Sequence, residues 1–221
     1  TPHGGGGPGA GPVVLSEALA PFAPVPFLRK DGEKIGLVEH VEGDAFGRLT
    51  AFHGQMGMYV RALTYMLSHG ADGLAQAARD AVLNANYLKA RLEDLFSAPF
   101  NGQPVMHEAL FDDSFLKGTG VSTLDFAKAM IDEGFHPMTM YFPLVVHGAM
   151  LIEPTESESL QTLDAFVAIM RELAEDARAG NAERFTSAPM QAPLRRLDEP
   201  RAARQPRLKW SPPDDSLQAA Q

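Results

Sequence analysis

The chain of 221 residues contains no cysteine. Disulfide bridges, thiolate metal centres and cysteine nucleophiles are excluded together. Basic residues are in the minority, 19 against 28 acidic, for a net charge of −9. A surface of that sign does not suit nucleic acid. No apolar run approaches the roughly 20 residues that span a bilayer, so no membrane association is expected. The start also lacks the basic-then-apolar pattern of a signal peptide. It lacks a methionine as well, so Thr1 reads as the product of processing, truncation or fragment cloning. The apolar fraction, 45%, suffices for a core in one large domain or two small ones.

The sequence opens TPHGGGGPGAGPVVL. Backbone N–H groups without β-carbons can wrap an anion closely, phosphate above all. A nucleotide P-loop is excluded because no Lys-Ser or Lys-Thr follows the last glycine. A dinucleotide loop lacks its preceding strand. Terminal polyglycine is more commonly a flexible leader, but this one has no serine and runs straight into Val13-Val14-Leu15.

Residues 27–55 read as irregular chain with a turn at Lys30-Asp31-Gly32. Tyr59, Leu63, Met66 and Leu67 recur at helical steps, and Gly70 suits a helix end. Leu74, Ala77, Ala78, Ala81, Val82, Ala85, Leu88 and Leu92 form the apolar stripe of a second helix, ending near Leu95. The break at Pro99–Pro104 sets a domain boundary. Val105–Asp112 is a strand candidate and Phe115–Gly120 a loop. Ser122 and Asp125 have the spacing of a capping box ahead of a short helix that Gly134 ends. The segment 135–146 reads as extended, and GAMLIEP, residues 148–154, as a second apolar strand. Thr155 and Glu158 suggest another capping box, with a helix running to about Ala179. From Pro189 the chain is rich in proline, with six basic residues between Arg195 and Lys209; it reads as an extended or disordered arm.

The seven histidines show no i, i+4 zinc spacing, so no metal site is expected. His3 and His136 adjoin prolines, and either could contact a ligand. Glu153–Glu156 reads as a helix start. Neither a Ser/His/Asp order nor a Gly-x-Ser-x-Gly elbow is present.

The segments PHGGGGPGAGPV, AVLNANYLKARLE, DEGFHPMTMYFPL and LIEPTESE, with PLRRLDE near the end, occur in order across nearly the whole chain. Together they resemble the glycine dehydrogenase (decarboxylating) family, the P-protein of the glycine cleavage system, and in particular subunit 2 of its two-subunit bacterial form. The resemblance implies an α/β fold: the C-terminal part of an aspartate-aminotransferase-like, fold type I, pyridoxal-phosphate enzyme. Residues 1–95 would be the remainder of the large domain with a long connecting helix. Residues 96–188 would form a small α/β domain, and 189–221 a tail. The implied activity is that of a cytoplasmic bacterial oxidoreductase: decarboxylation of glycine and transfer of the aminomethyl group to the lipoyl arm of H-protein. Its implied partners are glycine, H-protein and subunit 1, in a heterotetramer.

His3, Gly4, Gly5, Gly6 and Gly7 match the family's glycine motif and would lie beside pyridoxal 5′-phosphate. The lysine that binds the cofactor would stand upstream of Thr1, so the chain is expected to be inactive alone. His136 and Thr139 match a second segment and are candidates for the substrate region. Two alternatives stand beside this reading: another fold type I enzyme, such as an aminotransferase or amino-acid decarboxylase, and a non-catalytic assembly module.

Overall fold

A computed structural model describes residue 9 and residues 11–49, 54–100 and 102–210. By internal contacts the chain divides into two units, Thr1–Ala75 and Gln76–Gln221. The expected boundary at 95/96 falls inside the second unit. The reason lies in the helix before it: Ala85, Leu88 and Leu92 are fully buried, so that end of the stripe belongs to the second unit's core.

In the first unit, Ala20–Phe22 is a short 3-10 turn and residues 27–38 form a hairpin rather than irregular chain. Strands β1 (Phe27–Asp31) and β2 (Lys34–Val38) pair antiparallel, Asp31 opposite Lys34 and Phe27 opposite Val38. Gly32, at φ 61°, takes the first position of the two-residue loop, where a tight hairpin calls for positive φ. Val25 is the one buried hydrophobic residue among the described residues of this unit, and it bridges to Arg48. Helix α1 (Met56–Leu92) is broken at Gly70, with φ 63° and ψ −177°, at the predicted helix end. Leu63 and Leu67 upstream of the break are 52% and 75% exposed.

In the second unit the end of α1 and three of the four further helices share one hydrophobic core with a small antiparallel sheet. Its strands are β3 (Ala109–Phe111), β4 (Thr139–Met140) and β5 (Met150–Ile152), in the order β3-β5-β4. Ala109 pairs with Ile152 and Phe111 with Met150; all four are buried, as the two-residue period requires. Strand β3 is shorter than the predicted 105–112. Val105 is instead held by the Asn86 amide, which accepts from its N–H at 3.0 Å and donates to its carbonyl at 2.7 Å. A 3-10 turn, Ser114–Leu116, overlaps the start of the predicted loop at 115–120.

Helix α2 (Thr123–Asp132) begins as predicted: the Ser122 hydroxyl accepts from Asp125 N–H, and the Asp125 carboxylate accepts from Ser122 N–H. The next helix, α3 (Leu160–Arg178), starts later than predicted. Its cap is Ser159, which accepts from Thr162 N–H at 3.1 Å. Thr155 shares its hydroxyl hydrogen bond with Ser157 instead, and its carbonyl closes a turn to Glu158 N–H. Leu163, Val167, Met170, Leu173, Ala174 and Ala177 form the buried stripe of α3, and α4 (Ala182–Thr186) adds Phe185.

The centre of the core is aromatic. Phe96 lies 4.4 Å from Phe115 between ring centres, Phe115 meets Phe126 edge-on at 5.5 Å, and Phe126 stacks on Phe185 at 6.0 Å. Each such ring stabilises the fold by about 1.5–3 kcal/mol through burial. Outside the core, Arg171 donates two hydrogen bonds to Asp94, at 2.6 and 2.8 Å, joining α3 to the chain just after α1.

Beyond Pro189 the chain does not simply extend. The Asp132 carboxylate accepts from the N–H groups of Met190 and Gln191. Arg196 donates to the carbonyls of Phe185 and Ala188 and pairs with Asp125 at 2.7 Å. The strap so formed leads into α5 (Glu199–Arg204). No helix among the described residues is long and apolar enough to cross a membrane.

Candidate functional site

Gly134 ends α2, and its N–H and that of Phe135 donate back to the last helical carbonyls. Pro137 keeps the preceding His136 out of the helical region, and the chain runs on into β4. That path brings both substrate-region candidates, His136 and Thr139, to one cavity of about 330 Å³. Its opposite side comes from the end of β5, through Glu153 and Pro154, and from the start of α3, through Glu158, Thr162, Leu163 and Phe166. Leu88 of α1 closes the apolar side. Phe135 meets Phe166 edge-on at 5.6 Å. His136, Thr139, Glu153 and Glu158 are exposed, whereas Leu88 and Leu163 are buried. The cavity therefore has a polar rim over an apolar floor. Glu153 lies 3.9 Å from the Nε2 of His107. The sequence places Glu153 only at a helix start; in the fold it stands on the rim because β5 ends there.

A larger groove of about 710 Å³ lies between Asp112–Val121 and Val145–His147. Asp113 pairs with His147 Nδ1 at 3.0 Å. At Asp112 burial pushes the carboxyl upward, but hydrogen bonds from Ser114 and from the Ser97 hydroxyl outweigh it and hold the group below the usual aspartate range. Sequence reading missed this cluster, because Asp113 and His147 are 34 residues apart and no local spacing links them. Above it the chain turns sharply at Tyr141, whose φ of 57° ends the predicted extended segment after two strand residues. The Tyr141 hydroxyl accepts from Leu124 N–H at 3.2 Å and holds that turn to α2.

His3 and Gly4 to Gly7 lie outside the described residues. Neither cavity is built for the phosphate of a pyridoxal cofactor: no lysine or arginine lines the smaller, and in the larger Lys117 shares the walls with Asp112 and Asp113. No group of three potential metal ligands stands together among the described residues.

The elements of the second unit define a small α/β domain with a carboxylate-rimmed apolar cavity. The family described as glycine dehydrogenase, C-terminal domain, matches residues 77–195. A protein of Caulobacter vibrioides, named probable glycine dehydrogenase (decarboxylating) subunit 2, is 71% identical over 216 residues, covering 96% of this chain and 41% of that protein. A protein of the same name from Chloroherpeton thalassium is 45% identical, covering 96% of this chain and 43% of its own length. A crystal structure of inhibitor-bound glycine decarboxylase (P-protein) of the glycine cleavage system superposes with a TM-score of 0.54 at 19% identity, over 71% of this chain and 37% of that one. That likeness is one of fold. The chain belongs to the glycine dehydrogenase (decarboxylating) family, and it carries part of the α/β fold that the resemblance implied. It spans about two fifths of the length of the curated relatives it matches.

Proposed function

We propose that the chain serves as part of subunit 2 of glycine dehydrogenase (decarboxylating). The whole protein would remove the carboxylate of glycine and pass the aminomethyl group to the lipoyl arm of H-protein. The observation that carries this reading is the 71% identity to a relative of that name across 96% of the chain. Similarity at that level runs through both units rather than through one motif.

In this reading the protein is cytoplasmic and works with subunit 1 in a heterotetramer. Pyridoxal phosphate, when bound, supplies the electron sink for decarboxylation. His3 and Gly4 to Gly7 are proposed beside it in the intact subunit, whose cofactor lysine would precede their motif; neither of the two cavities described above offers a phosphate cradle. His136 and Thr139 are proposed for the substrate region, a placement supported by the cavity they share. The apolar stripe of α1 gives little support to an assembly-only role, since its Ala85, Leu88 and Leu92 are buried within the second unit.

The test is exchange of labelled bicarbonate into the glycine carboxyl. It uses the chain joined to its genomic upstream sequence, with subunit 1, pyridoxal phosphate and lipoylated H-protein. Glycine-dependent exchange is expected. Transamination or decarboxylation of a larger amino acid, with no exchange into glycine, overturns the reading.

A further inference from the structure

We infer that residues 190–196 act as a latch on the wall of the smaller cavity. The strap and the segment 134–139, which carries His136 to that cavity, open together as one unit. Nothing in this coupling depends on which ligand the cavity takes.

The strap is fixed to α2 at both ends of the helix. Asp132, the last residue of α2, accepts from the N–H groups of Met190 and Gln191, both at 2.7 Å. Asp125, in the first turn, pairs with Arg196 at 2.7 Å. The two aspartates stand seven residues apart on the helix, about 10 Å along its axis. Between these anchors the strap has no core of its own. Ala188 and Pro189 are buried, but none of residues 190–197 is, and Met190, Leu194 and Leu197 are exposed. A segment held by a few polar contacts belongs to the low end of local stability.

The coupling to the cavity is electrostatic. Asp132 puts a negative charge at the negative end of a helix dipole, an unfavourable place for a carboxylate. Among the described residues its recorded partners are the two N–H groups of the strap. The cation at that helix end, Arg184, is already shared by Glu133, Glu172 and Asp176. When the strap lifts, Asp132 faces the last carbonyls of α2 without a protein donor, and that turn loosens. Those carbonyls hold the cavity wall: Ile131 accepts from Gly134 N–H at 3.0 Å and Met130 from Phe135 N–H at 3.1 Å. Phe135 and His136 both line the cavity. The buried Phe126 and Ala127 keep the body of α2 in the core, so the opening is confined to the strap, the last turn and the segment beyond it.

The test is native-state hydrogen exchange, followed by NMR on the full chain at a series of low urea concentrations. The amides of Gln191, Gly134 and Phe135 are expected to share one opening free energy and one urea slope. They should exchange at least about a hundredfold faster than those of Leu173 and Ala174, in the buried stripe of α3. Arg196→Gln removes the far anchor without touching Asp132, and is expected to speed all three by the same factor, about tenfold. Gly134 and Phe135 exchanging with the free energy and slope of Leu173 overturns the latch. So does a variant in which Gln191 speeds up and Gly134 and Phe135 keep their wild-type rates, because the wall then opens with the strap still closed. Should the variant fail to fold, the wild-type comparison decides alone. Exchange needs neither ligand nor turnover: a latch without glycine exchange removes the proposed activity alone, and glycine exchange without a latch removes this coupling alone.

Discussion

The carboxylate of Asp113 occupies the space where a β-carbon on residue 148 would stand. A β-carbon built on Gly148 would lie 1.9 Å from the Asp113 Cγ, and Gly148 itself has φ 57°. Its carbonyl accepts the buried Thr123 hydroxyl at 3.0 Å, and the neighbouring His147 pairs with the same aspartate. One residue thus joins the start of α2, the Asp113 turn and the lead into β5.

Gly148→Ala is expected to destabilise the chain by about 2–4 kcal/mol, combining a left-handed backbone with a steric clash. A urea titration followed by circular dichroism measures it as a lower midpoint with unchanged slope. A loss of about 1–2 kcal/mol would mean that Asp113 turns aside and the left-handed backbone alone is felt; a loss below about 0.5 kcal/mol would overturn the expectation.

The start of α3 gives a paired test. Ser159→Ala removes the side chain that accepts from Thr162 N–H and is expected to cost about 1 kcal/mol. Thr155→Ala removes only a hydroxyl contact with Ser157 and is expected to cost clearly less. Equal losses in urea unfolding would restore Thr155 as the cap.

Acid behaviour should report the strap. Burial pushes the Asp125 carboxyl upward, but hydrogen bonds from Ser122 and the Arg196 guanidinium outweigh it and hold the group below the usual aspartate range. A lowered folded-state value means that its stabilising contribution is complete above the ordinary aspartate value of about 3.9. It is lost as the pH falls through the lower folded value. Carbon-detected NMR titration is expected to show Asp125 moving back toward the ordinary value in Arg196→Gln. An identical titration in both proteins would remove Arg196 as a cause.

What could be read from the sequence was local. The capping box of α2 lies within four consecutive residues, and the break at Gly70 follows from one glycine after a periodic run. The hairpin at 27–38 escaped because Leu28, Ile35 and Leu37 are exposed, so no buried face imposed an apolar alternation. Thr155 with Glu158 fits the capping-box template better than Ser159 with Thr162, yet the hydrogen bond forms at Ser159. The candidate site was legible only through resemblance, and only in part. His136 and Thr139 do share a cavity, but Glu158 reaches its rim because the end of β5 delivers the chain to the start of α3. Sequence spacing does not encode that tertiary relation, and the same holds for Asp113 and Gly148.

The attachment of Met190, Gln191 and Arg196 to α2 bears on how the protein can be handled. A fusion tag or protease site inserted at Pro189 would strip Asp132 and Asp125 of these partners and loosen the helix beneath. Placed after Leu197, the same insertion leaves every one of those anchors with its own chain, and that is where a label belongs.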